Sequence, residues 1–432
     1  MIFSQKIADD LTLRSLRDDV DKERFADFST VYNNPDEGAT CACLAHYHPE
    51  MTNDDFWIVE SDTTHKIVST TCLIPWTLRF AGLDLRAAQL EMVLTHPEYR
   101  GRGLVRMQVK HFEQVVKERD FDLSFIWGIP FYYRQYGYAY TIEGATLESL
   151  PIWKIPATSL GVDPSIRLRP AVADDIPSLT ALFNSMSAGL DFSTQRSSAY
   201  WGYLLENAHH PIEMLESSET REVIGYAVIS RLGKSINILE NSLRDSITSL
   251  ILLQVLKTQV SEQIQISWPG NTALAQLAMQ LGSQTVPGGQ WLLRVPDMTR
   301  FLRRMAPVFE QRLSNSARAK LSAEIKINLF HEAFSLGFEK GKLAAVDLIG
   351  FVDSSMGADG GDLCIPPDAF LRLLFGYRAL HELFDAWPDI IVKREARALI
   401  DILFPRLQPF LYTPYHDLGA SRDSVAPLSS AS

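Results

Sequence analysis

The stretch LTLRSLR at residues 11–17 alternates apolar and polar side chains, meets Asp18 and Asp19, and then sets Phe25, Phe28 and Tyr32 at helical spacing. The stretch IRLRPA at residues 166–171 does the same before Asp174 and Asp175, with Leu179, Leu182 and Phe183 following. Each copy reads as a short strand, an acidic helix start and an amphipathic helix. The copies lie 155 positions apart, from Leu11 to Ile166, a domain-sized period well beyond the roughly 20–50 residues of a solenoid. Such a chain holds one αβ domain twice. Its 432 residues leave room for about one more.

Within the first copy, strands are expected at residues 56–60, 66–75, 77–80 and 89–95, with a turn at Gly82. A helix over 104–119, a buried strand at 123–127 and a short helix at 131–135 follow, an order that makes a mixed sheet. Residues 149–164, with Pro151, Pro156, Gly161 and Pro164, read as the linker. The second copy carries a strand at 223–229, a helix at 246–260, a turn at WPGN (268–271) and an end near WLLRV (291–295). A third domain opens with a helix start at Asp297, with a strand at 323–328 and helices at 367–375, 379–386 and 394–404. The expected division is 1–150, 165–295 and 297–418, with a small, polar, flexible tail at 419–432.

Composition narrows the function. Hydrophobic residues at 46% and charged residues at 22% fit a chain with real cores. A net charge of −11 lacks the basic stripe that nucleic acid demands and suits a cationic partner. No apolar run reaches the ~18 residues of a membrane span, and no apolar signal core follows Met1. Cys41, Cys43, Cys72 and Cys364 are too few for a disulfide framework. The expectation is a cytoplasmic protein with reduced thiols, no membrane and no nucleic acid.

The segment with most chemistry is QLEMVLTHPEYRGRGLVR, residues 89–106, a strand, a glycine loop and a helix in direct succession. Gly101 and Gly103 let backbone approach a ligand, and a helix start aims unpaired N–H groups and a positive dipole end at one point. A pyrophosphate fits such a point. The fingerprint of a dinucleotide site and the Lys-Ser/Thr of a P-loop are both missing, which disfavours NAD and ATP.

VLTHPEYRGRGLV (93–105) resembles the acetyl-CoA motif of the GNAT (Gcn5-related N-acetyltransferase) enzymes, Arg/Gln-x-x-Gly-x-Gly/Ala, with Arg100 and Gly103 in register and Val105 in place of the final small residue. Val105 is similar instead to the Eis-like (enhanced intracellular survival) branch. So are GIPFYYRQYGY (128–138), a second copy lacking Arg-x-x-Gly-x-Gly, and IPPDAFLRLLFGYRALHEL (365–383) with LFP (403–405), which resemble that branch's sterol-carrier-like domain. The resemblance implies an α+β chain of two tandem GNAT-like mixed-sheet domains and a C-terminal sterol-carrier-like α/β domain. It implies an acetyl-CoA-dependent N-acetyltransferase acting on a small or peptide-borne amine, such as a polyamine, an aminoglycoside-like molecule or a lysine side chain. A homo-oligomer built as a trimer-based hexamer is implied as well. The different-class alternative is an acyl-CoA- or lipid-binding protein whose catalysis has lapsed.

Carried onto this chain, the resemblance assigns Val93, Leu94 and Thr95 to main-chain cofactor contacts and Gly101, Arg102, Gly103, Leu104, Val105 and Arg106 to the pyrophosphate. Gly128 and Ile129 would line the pantetheine arm, and Tyr133 would be the general acid that protonates the departing thiolate. Tyr132, Tyr133, Tyr136 and Tyr138 can equally be packing aromatics, with Tyr132 the nearest alternative donor. His96 and Glu91 flank the loop as bases or as strand-edge structure. Cys41, Cys43, His46 and His48 could hold zinc, but structural zinc wants ligands in well-spaced pairs, so helix packing or substrate-side polarity is expected and no metal. Asp36 and Glu37 meet a cationic amine or solvent. The Eis-like enzymes end soon after the third domain with the terminal carboxylate in the active site, whereas here residues 419–432 follow Leu418. Ordering that tail costs entropy, so His416 or Asp417, or water, is expected in place of the α-carboxylate.

Overall fold

The computed structural model describes residues 3–144, 146–157, 165–208, 210–267, 272–286, 288–353 and 360–413. The expected linker residues 158–164, the turn at 268–271, His416, Asp417 and the tail 419–432 lie outside them. Among the described residues no helix is long and apolar enough to cross a membrane.

The strands in chain order are β1 (Ser4–Ala8), β2 (Leu11–Ser15), β3 (Phe56–Ser61), β4 (Ile67–Phe80), β5 (Leu83–Thr95), β6 (Leu123–Ile126), β7 (Ala139–Glu143), β8 (Leu147–Pro151), β9 (Ile166–Pro170), β10 (Phe192–Thr194), β11 (Ile212–Ser217), β12 (Val223–Leu232), β13 (Ser235–Ser242), β14 (Gln263–Ser267), β15 (Gln284–Val286) and β16 (Gln290–Arg294). A 9-stranded sheet runs β1-β2-β3-β4-β5-β6-β16-β7, with β10 on the far end of β4. A 7-stranded sheet runs β15-β8-β14-β13-β12-β11-β9. The third sheet is made of β17 (Ala323–Asn328), β18 (Ala333–Glu339), β19 (Lys342–Gly350), β20 (Leu363–Cys364) and β21 (Ile391–Val392), ordered β19-β18-β17-β20-β21. The chain is a mixed α+β protein.

The repeat is real in register as well as in pattern. β2-β3-β4-β5 and β9-β11-β12-β13 are both antiparallel ladders, and each ends on a parallel strand, β6 or β14. The helices match too: α1 (Asp19–Tyr32), α2 (Pro35–Tyr47) and α3 (Leu104–Glu118) against α4 (Ile176–Ser187), α5 (Ser198–Asn207) and α6 (Ser246–Lys257). The same ion network ties strand to helix start in both copies. Arg14 donates to Asp21 at 2.7 Å and to Glu60 at 2.8 Å. Arg169 donates to Asp175 at 2.6 Å and to Glu216 at 2.7 Å. The acids near the helix starts, Asp21 and Asp175, are thus anchors for the arginines of the opening LRS and LRP stretches, Arg14 buried and Arg169 half-buried.

Three expectations are corrected. Residues 66–75 and 77–80 form the single strand β4, because beyond Cys72 it has left β3 behind and Pro75 sits where only β5 runs beside it. Residues 147–151, read as the end of the first domain and the linker, form β8 in the second sheet. Residues 290–294, read as the end of the second unit, form β16 between β6 and β7 of the first. Alternation identifies a strand but carries no information about which sheet accepts it. The two units therefore exchange one strand each.

The third domain docks on the first through the helix Met298–Arg304. Arg300 meets Asp120 at 2.7 Å, Arg304 donates to the Asp84 carbonyl at 2.6 Å, and Arg134 reaches Asp368 at 3.2 Å. The last described segment then crosses the edge of the first sheet. Glu143 N–H donates to the Pro409 carbonyl at 3.1 Å, and the Trp291 indole donates to the Leu411 carbonyl at 2.7 Å.

Candidate active site

The site begins where two strands part. β5 and β6 pair in parallel only from Ala87 to Gln89 against Leu123 to Phe125. Beyond that point β5 stays on β4 through a bulge, with Met92 in the left-handed region at φ +54°. Val93, Leu94 and Thr95 are half-buried, and one strand edge faces a gap instead of a neighbour. Main-chain donors and acceptors left over in this way are what an extended amide-bearing ligand can take up.

The loop after β5 is braced from within. His96 Nδ1 accepts the Glu98 N–H at 3.2 Å, which places that histidine in a structural role at the turn. Arg100 Nε reaches the Thr95 carbonyl at 3.4 Å, and Arg102 stacks over Tyr99 at 4.5 Å. Gly101 and Gly103 take φ of +75° and +77°, a region that costs other L-residues about 1–2 kcal/mol. Gly103 is the N-cap of α3 and offers no side chain to the first-turn amides, and no acid stands in that turn. The helix is held by Leu104, Val109, Phe112 and Val116, all buried on one face. Its positive end is left open to an anion.

The tyrosines separate by their hydrogen bonds. Tyr138 is tied to Ser124 at 2.9 Å, and Tyr132 faces Tyr136 at 3.5 Å. Tyr133 is 5% exposed, and its hydroxyl has no hydrogen-bond partner among the described residues. Burial, and next the charge of Glu91, push its phenol far above the ordinary range, so it stays protonated and neutral. Gly128 lies under the ring, where a Cβ would overlap Tyr133, and so is needed for packing whatever it touches besides. Ile129, expected to line a ligand arm, points outward at 64% exposure.

Glu91 was read as strand-edge structure or a base, and its surroundings were not legible in the sequence. It accepts Gln89 Nε2 at 2.9 Å and the main-chain N–H groups of Trp127 and Met92. Burial, aided by Glu37, pushes its carboxyl up to about 8 against the pull of those bonds. The signal present in the sequence was an acid inside the otherwise apolar run LEMVL. Glu37 comes from α2, which approaches α1 closely because Gly38 has no Cβ to strike Thr30. Burial, and then Asp36, raise Glu37 as well. Cys41 is packed inside, 3.1 Å from Ser29 Oγ and 3.0 Å from Met92 Sδ. Among the described residues no three His, Cys, Asp or Glu side chains come together as a metal group. A cavity of about 1270 Å³ lies to one side, between Lys117 and Asp120 at the end of α3, Tyr132, and His331 and Asp368 of the third domain. Its lining includes neither Glu91 nor the glycine loop.

Residues 12–141 match the family model described as an acetyltransferase (GNAT) domain. The first domain is a GNAT acetyltransferase domain. The chain thus carries a GNAT N-acetyltransferase domain, and GNAT domains use acetyl-CoA. No curated protein sequence matches the chain. Solved structures similar to it include a probable N-acyltransferase from Enterococcus faecalis, at 15% identity and TM-score 0.71 over 93% of this chain and 99% of that one. A GCN5-related N-acetyltransferase from Kribbella flavida follows at 16% identity and TM-score 0.66, over 94% of this chain and 100% of that one. Eis1 from Mycobacterium abscessus is similar at 16% identity and TM-score 0.60, over 93% of this chain and 99% of that one. At such identities the likeness is one of fold.

Proposed function

We propose that this GNAT enzyme carries an acetyl group from acetyl-CoA to a primary amine at the mouth of the β5–β6 gap. The observation that supports it most is the uncapped start of α3 directly after the unpaired half of β5. The residues suit the cosubstrate: the left-handed glycines leave open space where a Cβ would stand, and the helix start is free of acids. Gly101, Arg102, Gly103, Leu104, Val105 and Arg106 would hold the pyrophosphate, and Val93, Leu94 and Thr95 the amides of the arm beside Gly128. The outward Ile129 would touch it with main chain only. A main-chain N–H near Val93 would steady the oxyanion, and Tyr133 would give its proton to the departing thiolate. Whole-chain fold likeness to Eis1, with the motif resemblance, supports the Eis-like branch, a second unit that is GNAT-like without a cofactor loop, and a sterol-carrier-like third domain. The acceptor would be a polyamine, an aminoglycoside-like molecule or a lysine side chain.

The test pairs calorimetry with turnover. Acetyl-CoA should bind one site per chain, and spermidine, kanamycin or N-α-acetyl-lysine should gain one acetyl group with release of free thiol. Tyr133→Phe should keep acetyl-CoA binding and lose roughly 10²-fold or more in kcat, the scale of positioned proton transfer. Wild-type turnover in that variant would move the acid to Tyr132, and absence of acetyl-CoA binding by the wild type would end the proposal.

A further inference from the structure

Trp127 follows the end of β6 and carries its ring to one side of the sheet. Phe125 belongs to the core shared with Cys41 and Met92 on the α1–α2 side, whereas Ile126 and Tyr133 belong to the core under α3. Trp127, two residues beyond Phe125, keeps to the Phe125 side: both rings meet Trp291 edge-on, at centroid distances of 5.1 Å and 5.4 Å. Its main-chain N–H is bonded to Glu91, which sets it at the mouth of the β5–β6 gap. The ring is clamped there. A Cβ on Gly144 would lie 2.2 Å from Trp127 Cζ3, and one on Gly289 would lie 2.2 Å from Cζ2. Neither glycine has a left-handed backbone, so it is the ring that requires them. Gly289 directly precedes β16, and the Gly144 N–H donates to its carbonyl at 3.0 Å, so the strand exchange brings the clamp to the gap. The indole nevertheless keeps 38% of its surface exposed. It is a rigid aromatic surface open to whatever enters.

The second unit shows what an aromatic surface beside this carboxyl position can hold. Arg14 stands opposite Ile58, which stands opposite Thr70, and two residues on Cys72 pairs with Glu91. Arg169 stands opposite Met214, which stands opposite Tyr226, and two residues on Val228 pairs with Glu240. Glu91 and Glu240 are thus the same position in the two copies. Glu240 accepts Arg196 Nη1 at 2.8 Å, and the guanidinium lies 4.1 Å from the Phe183 ring and 4.8 Å from the Trp201 ring. Among the described residues Glu91 has no cation, and Glu37 from the first turn of α2 adds a second carboxyl to its surroundings.

From the clamped indole beside these two carboxyls we infer that Trp127 is a specificity-determining residue, its face receiving an ammonium of the acceptor that stays charged while another amine of the same molecule reacts. The inference rests on the transferase reading of the site and narrows its acceptor to diamines and polyamines. The ring quadrupole attracts a cation over the indole face, and more strongly where water is partly excluded. A clamped ring also spends little entropy on the contact, because its rotamer is already fixed. The ammonium on the ring takes no part in bond making, so the contact is the same before and during attack. Such uniform binding is read in KM and leaves kcat in place.

The test compares putrescine with butylamine, which has the same carbon chain and lacks the second ammonium. Trp127→Leu keeps an apolar side chain and removes the aromatic face. For putrescine kcat/KM should fall roughly 5- to 30-fold, through KM, against less than about threefold for butylamine. The acetyl-CoA Kd in calorimetry should stay within about twofold. Trp127→Phe retains a smaller aromatic face and should recover most of the loss. Gly289→Ala leaves Trp127 in the chain, drives a Cβ into its ring and should reproduce the putrescine loss. Equal losses for the two amines in Trp127→Leu would reduce the indole to apolar packing and overturn the inference. A wild-type KM for putrescine in that variant overturns it too, as does an acetyl-CoA affinity that falls in step with turnover. A wild type that acetylates N-α-acetyl-lysine but neither putrescine nor spermidine overturns the acceptor class. One that does not bind acetyl-CoA overturns the transferase reading beneath it.

Discussion

The long helices of the two units begin in opposite ways. α3 begins at Gly103, which has no side chain to spend on the first-turn amides, after a loop with two left-handed glycines. α6 begins at Asp245, whose carboxylate accepts the Thr248 N–H at 2.8 Å and is held below the usual carboxylate range by that bond. The second unit thus satisfies its helix dipole with its own charge, just as it satisfies Glu240 with its own arginine. Among the described residues the first unit supplies neither an acid at the start of α3 nor a cation for Glu91. A scaffold used twice becomes inert where the chain fills its own electrostatic positions and available where it does not.

The largest effect that can break this contrast is at the buried pair. Arg196→Met keeps the apolar sandwich between Phe183 and Trp201 but strands Glu240, and should cost about 3–5 kcal/mol in urea unfolding. Glu91→Gln, at the matching position, should change stability by less than about 1 kcal/mol, because no internal cation is lost. Equal costs for the two variants would mean that Glu91 is as internally paired as Glu240, and the contrast would fail.

The next effect comes from giving the first unit the second unit's cap. Gly103→Asp places a carboxylate at the start of α3, where Asp tolerates the left-handed conformation better than most residues. The like charge should lower acetyl-CoA affinity by roughly 5- to 30-fold, the scale of ~1–2 kcal/mol for a charge at a helix end. Gly103→Asn has the same shape without the charge and should retain most of the binding in the same calorimetric titration. Equal losses in both variants would assign the effect to bulk.

What was legible in the sequence was local. The strand, the glycine loop and α3 follow one another in the chain, so spacing and turn chemistry exposed them together, and the left-handed glycines fell where the loop required them. The helix starts at Asp18 and Asp297 were equally legible, each with its side chain bonded to an amide three residues on. What escaped depends on contacts through space. Nothing near Gly128 announces the Tyr133 ring above it, and nothing near Leu147 or Gln290 announces that the two strands exchange sheets. Glu91 looked like any acid at a strand edge, and its meaning came only from the register that sets it against Glu240. Pattern reports the element and its buried face, but partners are decided by packing.

The smallest effect sharpens the comparison from the other side. Asp245→Ala removes the carboxylate from the start of α6 and frees the Thr248 amide, leaving a helix start that resembles α3 in lacking a cap. The loss of an N-cap should cost about 1 kcal/mol in unfolding free energy, and Asp245→Ser should recover most of it, since a hydroxyl caps nearly as well. Acetyl-CoA should still bind at one site per chain. The opened helix lacks the two left-handed glycines that bring backbone up to a pyrophosphate, and its preceding strand carries Glu240 already bound to Arg196. An uncapped dipole end is then insufficient for binding, because about 1 kcal/mol of electrostatics is weak against the entropy of fixing a long, flexible ligand. A second acetyl-CoA equivalent in Asp245→Ala would show that the cap alone had closed the second unit, and the glycine loop would lose its privileged place in the first.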